Sequence, residues 1–333
     1  MNAPQTIRPR RSVLYVPGAN PKALAKAAGL PADALIFDLE DAVLPAAKPT
    51  ARTAVIERVA AGGFGPREIV IRINGLDTAW GADDLRAVAA SGVDAVLLPK
   101  VEDPETVSRT ASLLDQHNAP AGMKIWIMAE TPRGVLGLQS ILAGSDRLAV
   151  IVMGTADLAR AMRIDPGPDR SGLLAALGHC ILAARAQGLD ILDGVFGDIG
   201  DHPGFRTACL QGKALGFDGK SLIHPGQIDT ANDIFGVPDV QAEAARELVS
   251  AWEAAALRGS GIAVLRGRMI EALHAEEARR LLALHQAISK RSEASATGQW
   301  NGRLRQTIET GLGQARDPGK QGQASRQPDL ADT

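Results

Sequence analysis

Eight short apolar runs, each followed by a segment of helical periodicity, restrict this chain to very few folds. Apolar runs of strand length between turn residues are typical of parallel strands that are buried on both faces. Their alternation with helical segments predicts an α/β protein, a (β/α)8 TIM barrel, with an open doubly wound sheet as the alternative. That open sheet normally carries a phosphate-binding glycine motif after its first strand, and VPGANP is not one. The predicted strands cover residues 12–18, 34–40, 68–74, 95–100, 124–130, 148–154, 190–196 and 217–223.

The pattern divides the chain into three parts. Residues 10–235 are predicted to form the TIM-barrel catalytic domain, and residues 236–291 a C-terminal helical extension that acts as a lid. Within this extension, RGSGIAVLRGR predicts a loop or short hairpin, and MIEALHAEEARRLLALHQAI predicts an amphipathic helix. Residues 292–333 are rich in Gly, Gln, Ser and charge, which predicts a largely disordered tail.

Composition narrows the possible partners. The formal net charge of −2 argues against nucleic acid or an anionic membrane as the main partner. Cys180 and Cys209 lack the spacing of a metal or disulfide motif, so we expect buried thiols in a reducing compartment. The first residues contain no apolar segment typical of a signal peptide or membrane span, and a cytoplasmic protein is expected.

Charged or polar residues lie within, at the end of or just after nearly every predicted strand. In a TIM barrel the C-terminal strand ends build the active site. Many such groups at one rim would be costly to desolvate without a ligand or metal to organise them, which favours a functional site. The residues in question are Asp38, Glu40, Asp41, Arg72, Asn74, Lys100, Glu130, Asp157, Asp193, Lys220 and His224.

Two of these carboxylates, Glu130 and Asp157, follow consecutive apolar runs. If the two strands are neighbours, their ends lie roughly 5 Å apart, and two carboxylates at that separation suit a small hard cation such as Mg²⁺. The alternative is structural: Glu130 caps the following helix, and Asp157 pairs with Arg160 or Arg163.

The residue types limit the chemistry further. No serine stands on a nucleophile elbow, and the sequence contains no Cys–His pairing or dense zinc cluster. Lys100 follows a proline among carboxylates that would hold it charged, which argues against a Schiff base. A Mg²⁺ site with one arginine fits Lewis-acid chemistry on an oxygen-rich substrate. We therefore expect Arg72 to contact a substrate carboxylate or enolate rather than a structural partner.

The chain resembles the HpcH/HpaI aldolase/citrate lyase family, in its citrate lyase β-subunit-like and malyl-CoA lyase-like branch. The resemblance implies a TIM barrel, Mg²⁺ dependence, coenzyme A as part of the substrate, and reversible Claisen-type cleavage of a 3-hydroxyacyl thioester. It runs from about Arg11 to about Ile288 and rests on ordered motifs: RSVLYVPG, FDLEDAV, VIRINGLDT, LLPK, MAETPRG, GTADL, LDGVFGD and GFDGKSLIHPGQI.

The resemblance also implies roles for particular residues. Glu130 and Asp157 would bind the metal, and Arg72 would bind substrate. The acidic pair of FDLEDAV, Glu40 and Asp41, would lie beside the metal and its waters. Lys26 would help to hold coenzyme A, although Asn20 stands where malyl-CoA lyases often have an arginine.

One position departs from the family pattern. Glu271, in GRMIEAL, stands where the family has an aspartate that acts as acid or base in the active site of a neighbouring protomer. The resemblance therefore implies a homo-oligomer, a trimer or hexamer, in which Glu271 of one chain covers the metal site of the next. The carboxylate is retained but lies one methylene further out, and a displacement of about 1 Å at a catalytic group affects rate strongly.

These observations predict a Mg²⁺-dependent carbon–carbon lyase. Its substrate would be a short 3-hydroxyacyl-CoA, such as malyl-CoA or citramalyl-CoA, and its products a 2-oxoacid and an acyl-CoA. Two alternatives remain. One is a citrate lyase β subunit that acts on citryl-acyl carrier protein to give oxaloacetate, and the other is a non-catalytic barrel that binds acyl thioesters.

Overall fold

The computed structural model describes residues 7–312, with side chains described for residues 7–293. Eight parallel strands form a closed barrel in sequence order, and β1 pairs with both β2 and β8. The predicted TIM barrel is therefore confirmed, and each predicted strand is present. The strands are β1 Ser12–Pro17, β2 Ala34–Asp38, β3 Glu68–Arg72, β4 Ala95–Leu98, β5 Lys124–Ala129, β6 Leu148–Met153, β7 Asp190–Asp193 and β8 Gly219–Leu222.

Helices surround the barrel, and several begin at side-chain caps. Asn20, Asp103, Thr131 and Asp201 each accept a backbone N–H of the helix that follows, which satisfies donors that have no intrahelical partner. No helix in the described part of the chain combines the length and hydropathy needed to cross a membrane. The helices are α1 Pro21–Ala27, α2 Lys48–Ala60, α3 Gly81–Ala89, α4 Pro104–Gln116, α5 Pro132–Leu136, α6 Leu138–Ile141, α7 Thr155–Met162, α8 Leu174–Ala186, α9 His202–Leu215, α10 Ile228–Phe235, α11 Asp239–Leu257 and α12 Ala272–Leu312.

Strand side chains alternate between the barrel interior and the helical layer. The interior is packed with apolar residues, including the fully buried Trp126, so the barrel is a core and not a pore. The opposite faces of the strands pack against the surrounding helices in a second, larger cluster. This alternation decides which charged strand residue points into the barrel mouth and which points outward.

A set of ion pairs occupies the N-terminal end of the barrel, at or just before the strand starts. Arg10 forms a two-pronged pair with Glu68, at 2.7 and 2.8 Å, and also bonds Asp190. Arg11 forms a similar pair with Asp33, at 2.8 and 2.9 Å. We call this set the N-terminal ion-pair belt; its members are Arg8, Arg10, Arg11, Asp33, Glu68, Asp94, Arg185, Asp190 and Asp218.

The extension after the barrel forms an arm. Here α11 packs along α12, and the predicted hairpin is present as β9 Ala263–Leu265 and β10 Arg268–Ile270. Arg266 and Gly267 turn the hairpin with φ of 50° and 76°, so the helix predicted from Met269 begins only at Ala272. Helix α12 continues to Leu312, past the predicted start of the tail at residue 292, and residues 313–333 lie outside the described part.

The arm is attached to the barrel at its N-terminal end. On α12, Arg280 pairs with Asp218 at 3.0 Å, and Arg291 pairs with Asp33 at 3.3 Å; both aspartates precede a strand. The far end of the arm has a small core of its own, formed by Ala255, Ala263 and Ile270. The attachment of α12 is therefore at the opposite end of the barrel from the C-terminal mouth.

Candidate active site at the C-terminal mouth

Arg72 and Asp38 form a buried pair at the mouth. They are register partners on β3 and β2, and the guanidinium Nε and Nη2 each lie 2.7 Å from a different Asp38 oxygen. Burial opposes ionisation of Asp38, but the Arg72 guanidinium outweighs it and holds the pKa of this carboxyl below its usual range. Arg72 therefore has a structural partner, which the sequence did not predict, while its contact with substrate stays a prediction.

One nitrogen of Arg72 faces the mouth. Its Nη1 lies 3.1 Å from Glu40 Oε2, 3.5 Å from Asp41 Oδ2 and 3.4 Å from the Met128 sulfur. The ring of Tyr15 covers the guanidinium, with 4.9 Å between Cζ and the ring centroid. Arg72 is therefore fixed in orientation and offers Nη1 to a ligand.

Lys100 links two carboxylates after β4. Its left-handed backbone, with φ of 49°, lets its N–H donate to Glu130 Oε1 at 2.7 Å, while its Nζ bonds Glu40 Oε1. Burial opposes the charge, but Glu40, Glu130 and Asp41 together raise the pKa of Lys100. The amine is thus held as an ammonium, as predicted.

Glu130, directly after β5, is only 1 % exposed. Its side chain lies over Gly154 at the end of the neighbouring β6, where a Cβ would come within 2.4 Å of Oε2. Burial raises the pKa of Glu130 to about 7, against the smaller opposing effect of Lys100. The capping alternative for this residue is wrong, because Thr131 accepts the N–H of Gly134 at 3.0 Å and caps α5.

Asp157 lies in the first turn of α7, just after β6. Its Oδ1 is 2.6 Å from Nη2 of Arg160, so the ion pair offered as a structural alternative is present. The Arg160 side chain is 79 % exposed, and a pair of that kind contributes little free energy. The pair therefore leaves Asp157 available to a more strongly bound cation.

The donors present fit a magnesium ion. Within the described residues no group of three or more His, Cys, Asp or Glu side chains converges on one point. Mg²⁺ does not require such a cage, since it commonly takes one or two carboxylates and keeps several waters. Among residues 7–293, the hydrogen bond to the Glu130 carboxylate comes from the Lys100 N–H, and Gly154 leaves open the space beside Oε2.

Several predicted rim residues have structural roles instead. The β7 and β8 residues Asp193 and Lys220 point outward, where they form a fully buried pair at 2.7 Å that Arg170 joins at 2.6 Å. The Asn74 side chain is bonded to Lys48 and Asp84 beneath the β2 loop. The alternation of side chains along β7 and β8 would have excluded Asp193 and Lys220 from the predicted rim residues, because both point away from the barrel interior.

Glu271 and Lys26 lie apart from the mouth cluster. Glu271 precedes α12 on the arm, and its N–H donates to His274 at 3.1 Å. Between residues 7 and 293, no hydrogen bond or ion pair joins the Glu271 side chain to the mouth residues of its own chain. Lys26 is exposed in the last turn of α1.

Three residues at the mouth were missed by sequence reasoning. Lys48 is buried and donates to Leu39 O, at 3.1 Å, and to Glu40 O, at 2.8 Å, which fixes the loop that carries Glu40. Nothing in its helical surroundings signals that role. Tyr15, the only tyrosine, follows RSVL, and Gly154 precedes TADL. The alternation of side chains along a strand would have predicted that both positions face the mouth.

Comparison with known proteins identifies relatives across most of the chain. The family model described as HpcH/HpaI aldolase/citrate lyase matches residues 11–225. A (3S)-malyl-CoA thioesterase of Cereibacter sphaeroides is 43% identical over 281 residues, which cover 84% of this chain and 96% of that protein. The citrate lyase subunit beta of Escherichia coli K12 is 36% identical over 280 residues, which cover 83% of this chain and 93% of that protein.

A solved structure of a related protein supports the same fold. CitE from Mycobacterium tuberculosis, in complex with magnesium, acetoacetate and coenzyme A, matches with a TM-score of 0.67 and 29% identity. The match covers 83% of this chain and 97% of that one. Together with the sequence relatives, it confirms the resemblance drawn from the motifs.

Proposed function

Because the chain belongs to the HpcH/HpaI aldolase/citrate lyase family, whose members include carbon–carbon lyases, we propose that it cleaves a short 3-hydroxyacyl-CoA such as malyl-CoA or citramalyl-CoA. The products would be a 2-oxoacid and an acyl-CoA. The observation that carries the proposal is the mouth cluster, in which a fixed guanidinium nitrogen of Arg72 faces the same space as Glu40, Lys100 and Glu130.

Magnesium is the proposed cofactor. Glu130, directly after β5, and Asp157, in the first turn of α7 after the adjacent β6, would hold it. When bound, it would supply Lewis-acid polarisation of substrate oxygens and favour the ionised form of Glu130. The magnesium in the related CitE structure supports this choice.

Residues of this chain would perform the remaining steps. Arg72 Nη1 would donate to a substrate oxygen that becomes negative as the carbon–carbon bond breaks. Glu40 and Asp41, which flank Nη1, would orient water and substrate beside the metal ligands. Lys26 on α1 would contact a phosphate of coenzyme A, for which its exposed ammonium is suited.

The acid–base group is proposed to come from another chain. Glu271 would take the proton of the 3-hydroxyl, the carbon–carbon bond would break, and the proton would return to the carbon of the acyl-CoA fragment. Since α12 is fixed to the N-terminal end of its own barrel, Glu271 is better placed to reach a neighbour. Exposed apolar residues at the arm tip, Leu257, Val264 and Met269, support a contact there.

Mixing two inactive variants tests this arrangement. Glu130→Gln and Glu271→Ala chains would be dissociated, combined and reassembled, and the mixed oligomers verified by mass. Sites that pair an intact barrel with an intact arm from another chain should restore part of the activity. Verified mixed oligomers without any activity would contradict catalysis across chains.

Thioester hydrolysis is a second candidate. It is favoured by the 43% identity to a protein named (3S)-malyl-CoA thioesterase, which is higher than the 36% identity to citrate lyase subunit beta. Hydrolysis would use the same mouth, with water attacking the thioester carbonyl to release the hydroxyacid and coenzyme A.

We propose a cytoplasmic location for the protein under either candidate function. Cys180 and Cys209 are free and buried, which fits a reducing compartment.

Product analysis separates the candidates. The protein would be incubated with Mg²⁺ and a panel of 3-hydroxyacyl-CoAs, while 2-oxoacid and free thiol are measured in parallel. The proposed lyase gives 2-oxoacid without thiol, and a thioesterase gives thiol without 2-oxoacid. Turnover of citryl-acyl carrier protein alone would favour the citrate lyase subunit, and no product from any substrate would favour a non-catalytic barrel. Glu130→Gln is the control for metal dependence.

A further inference from the structure

A cavity of about 490 Å³ lies at the opposite end of the barrel, where the arm meets the ion-pair belt. Its wall is formed by the chain before β1, the turn before β3 and helix α12. We call it the N-terminal pocket and define it by Arg8, Arg67, Lys290 and Arg291, with Ile7 and Pro66. A volume of this size is within the usual range for small-molecule sites.

Arg67 is fixed on this wall without an opposite charge. Its Nε donates to Leu30 O at 2.8 Å and its Nη1 to Phe64 O at 2.6 Å, so both contacts are backbone carbonyls. No carboxylate pairs with it among residues 7–293. Burial lowers the pKa of Arg67, as expected for a cation that lacks a compensating anion.

The neighbouring cations are also incompletely neutralised. Arg291 shares Asp33 with Arg11, and burial lowers its pKa in spite of that aspartate. Lys290 is exposed beside it and makes no hydrogen bond or ion pair within the described side chains.

The carboxylates of the wall are already engaged. Glu68 accepts two bonds from Arg10, and Asp94 accepts from Arg8 at 2.8 Å and from the Ile69 N–H at 2.9 Å. Neither is free to balance Arg67 or Lys290. The pocket therefore holds an excess of positive charge, of which Arg67 is held in place by its two backbone carbonyls.

We propose that the N-terminal pocket binds a phosphate group, carried by a small molecule or present as the free ion. The cations reach the cavity from two separate segments, and a tetrahedral phosphate presents oxygens in several directions, whereas a carboxylate presents two in one plane. Ile7, Pro66 and Ala287 add apolar wall that suits an organic substituent. A bound phosphate would tie Arg67 on the barrel to α12 on the arm.

Calorimetric titration at constant ionic strength tests the site with inorganic phosphate, phenyl phosphate and phenol. Saturable binding of phosphate or phenyl phosphate, but not of phenol, is expected. Tighter binding of phenyl phosphate identifies a phosphorylated small molecule as the ligand, and equal binding identifies the free ion. Arg67→Gln should weaken affinity roughly tenfold, which corresponds to about 1.4 kcal/mol. Lys290→Gln should weaken it only roughly threefold, since an exposed charge contributes less.

Arg58→Gln is the matched control, because Arg58 also donates to backbone carbonyls, of Leu24 and Gly62, but is not part of the pocket wall. It should bind the probes as the unmodified protein does. Lys290→Gln removes no contact within residues 7–293, so its result does not depend on an altered fold. Absence of saturable binding, or unchanged affinity in both Lys290→Gln and Arg67→Gln, would overturn the proposal.

Discussion

Glu130 at the mouth and the carboxylates at the other end of the barrel are in opposite electrostatic states. In the N-terminal ion-pair belt, Glu68 and Asp33 each receive a two-pronged arginine. At the mouth, Glu130 has a backbone N–H as its donor, and its pKa is raised to about 7. Paired charges of the first kind hold a fold together, whereas perturbed groups in a cleft are typical of a site that awaits a ligand.

One residue of the belt makes the contrast less simple. Burial and the nearby Asp218 raise the pKa of Asp190, and Arg10 opposes both. Arg10 also stacks on Trp126, with 5.3 Å between its Cζ and the ring. Arg10 is thus the hydrogen-bonded cation of both Glu68 and Asp190, which gives a direct way to disturb the belt.

The largest effect is expected from Glu130→Gln at the mouth. Loss of a metal ligand should lower kcat roughly 10⁴-fold, or about 5 kcal/mol, because Lewis-acid stabilisation of a transition state contributes several kcal/mol. The melting temperature should not fall, since the variant removes a buried charge. The measurements are steady-state kinetics, Mg²⁺ titration and thermal unfolding. Unchanged Mg²⁺ affinity would remove Glu130 from the metal site.

At the belt, Arg10→Gln should lower the stability and leave kcat unchanged, which is the reverse of the result expected for Glu130→Gln. It removes the two-pronged partner of Glu68, which keeps only the longer pair with Arg8 at 3.6 Å, and the hydrogen-bonded cation of Asp190. Breaking a buried ion pair costs about 3–5 kcal/mol. The free energy of unfolding from denaturant titration should fall by that amount, while kcat of the folded protein stays the same. Arg206→Gln is the control, because its pair with Asp233 is exposed and contributes about 1 kcal/mol or less. A large loss of kcat in Arg10→Gln would contradict the division between the two ends.

Stability of the metal-free protein should fall as the pH rises from about 4.5 to about 7. Burial moves the pKa of Glu130 from its ordinary value near 4.5 to about 7, so in this window the folded state binds the proton that the unfolded state has released. The resulting loss is about 3 kcal/mol. The loss is measured as the difference in the free energy of unfolding between the two pH values, with a chelator present. Glu130→Gln should not show this difference. The same pH dependence in the variant would refute the assignment.

A smaller effect, on both rate and stability, is expected from Arg72→Lys. A lysine cannot reproduce the two-pronged pair with Asp38 while also presenting a nitrogen to the mouth. We expect kcat to fall roughly 30-fold, about 2 kcal/mol, with a lower melting temperature. A fully active but unstable variant would show that Arg72 serves only the fold.

The smallest effect is expected from Tyr15→Phe. The ring that covers Arg72 is retained, and the hydroxyl loses only a 3.8 Å contact to the Met128 sulfur among the described side chains. If the hydroxyl donates to substrate, kcat/KM should fall roughly three- to tenfold, about 1 kcal/mol, without a change in melting temperature. An unchanged kcat/KM would limit Tyr15 to holding Arg72.

The barrel and part of its mouth were predictable from the sequence for a physical reason. Strands buried on both faces must be apolar along their length, so eight apolar runs predict eight strands. The C-terminal ends of these strands lie at one rim of the barrel. Glu40, Lys100 and Glu130 follow from that rule alone, because each stands just after a run.

The remaining features depend on register, which the sequence does not display. Asp38 bonds Arg72 because the two are register partners on β2 and β3. Asp193 points away from the barrel mouth because side chains alternate along β7 and its side chain is on the outer face. The belt is not evident from the sequence, because its pairs join residues at or before the starts of different strands. The attachment of α12 through Arg280 depends on tertiary packing between segments 62 residues apart.

A single substitution at Gly154 would be enough to disturb the mouth. Its φ of −94° is accessible to alanine, so the substitution needs no unusual backbone conformation. The new methyl group would nevertheless lie 2.3 Å from Glu130 Cβ and 2.4 Å from Oε2, so Glu130 would have to move. The product of such an allele is expected to be an inactive subunit. In the proposed oligomer it would assemble with normal chains and lower their output, so the allele would act as a dominant negative.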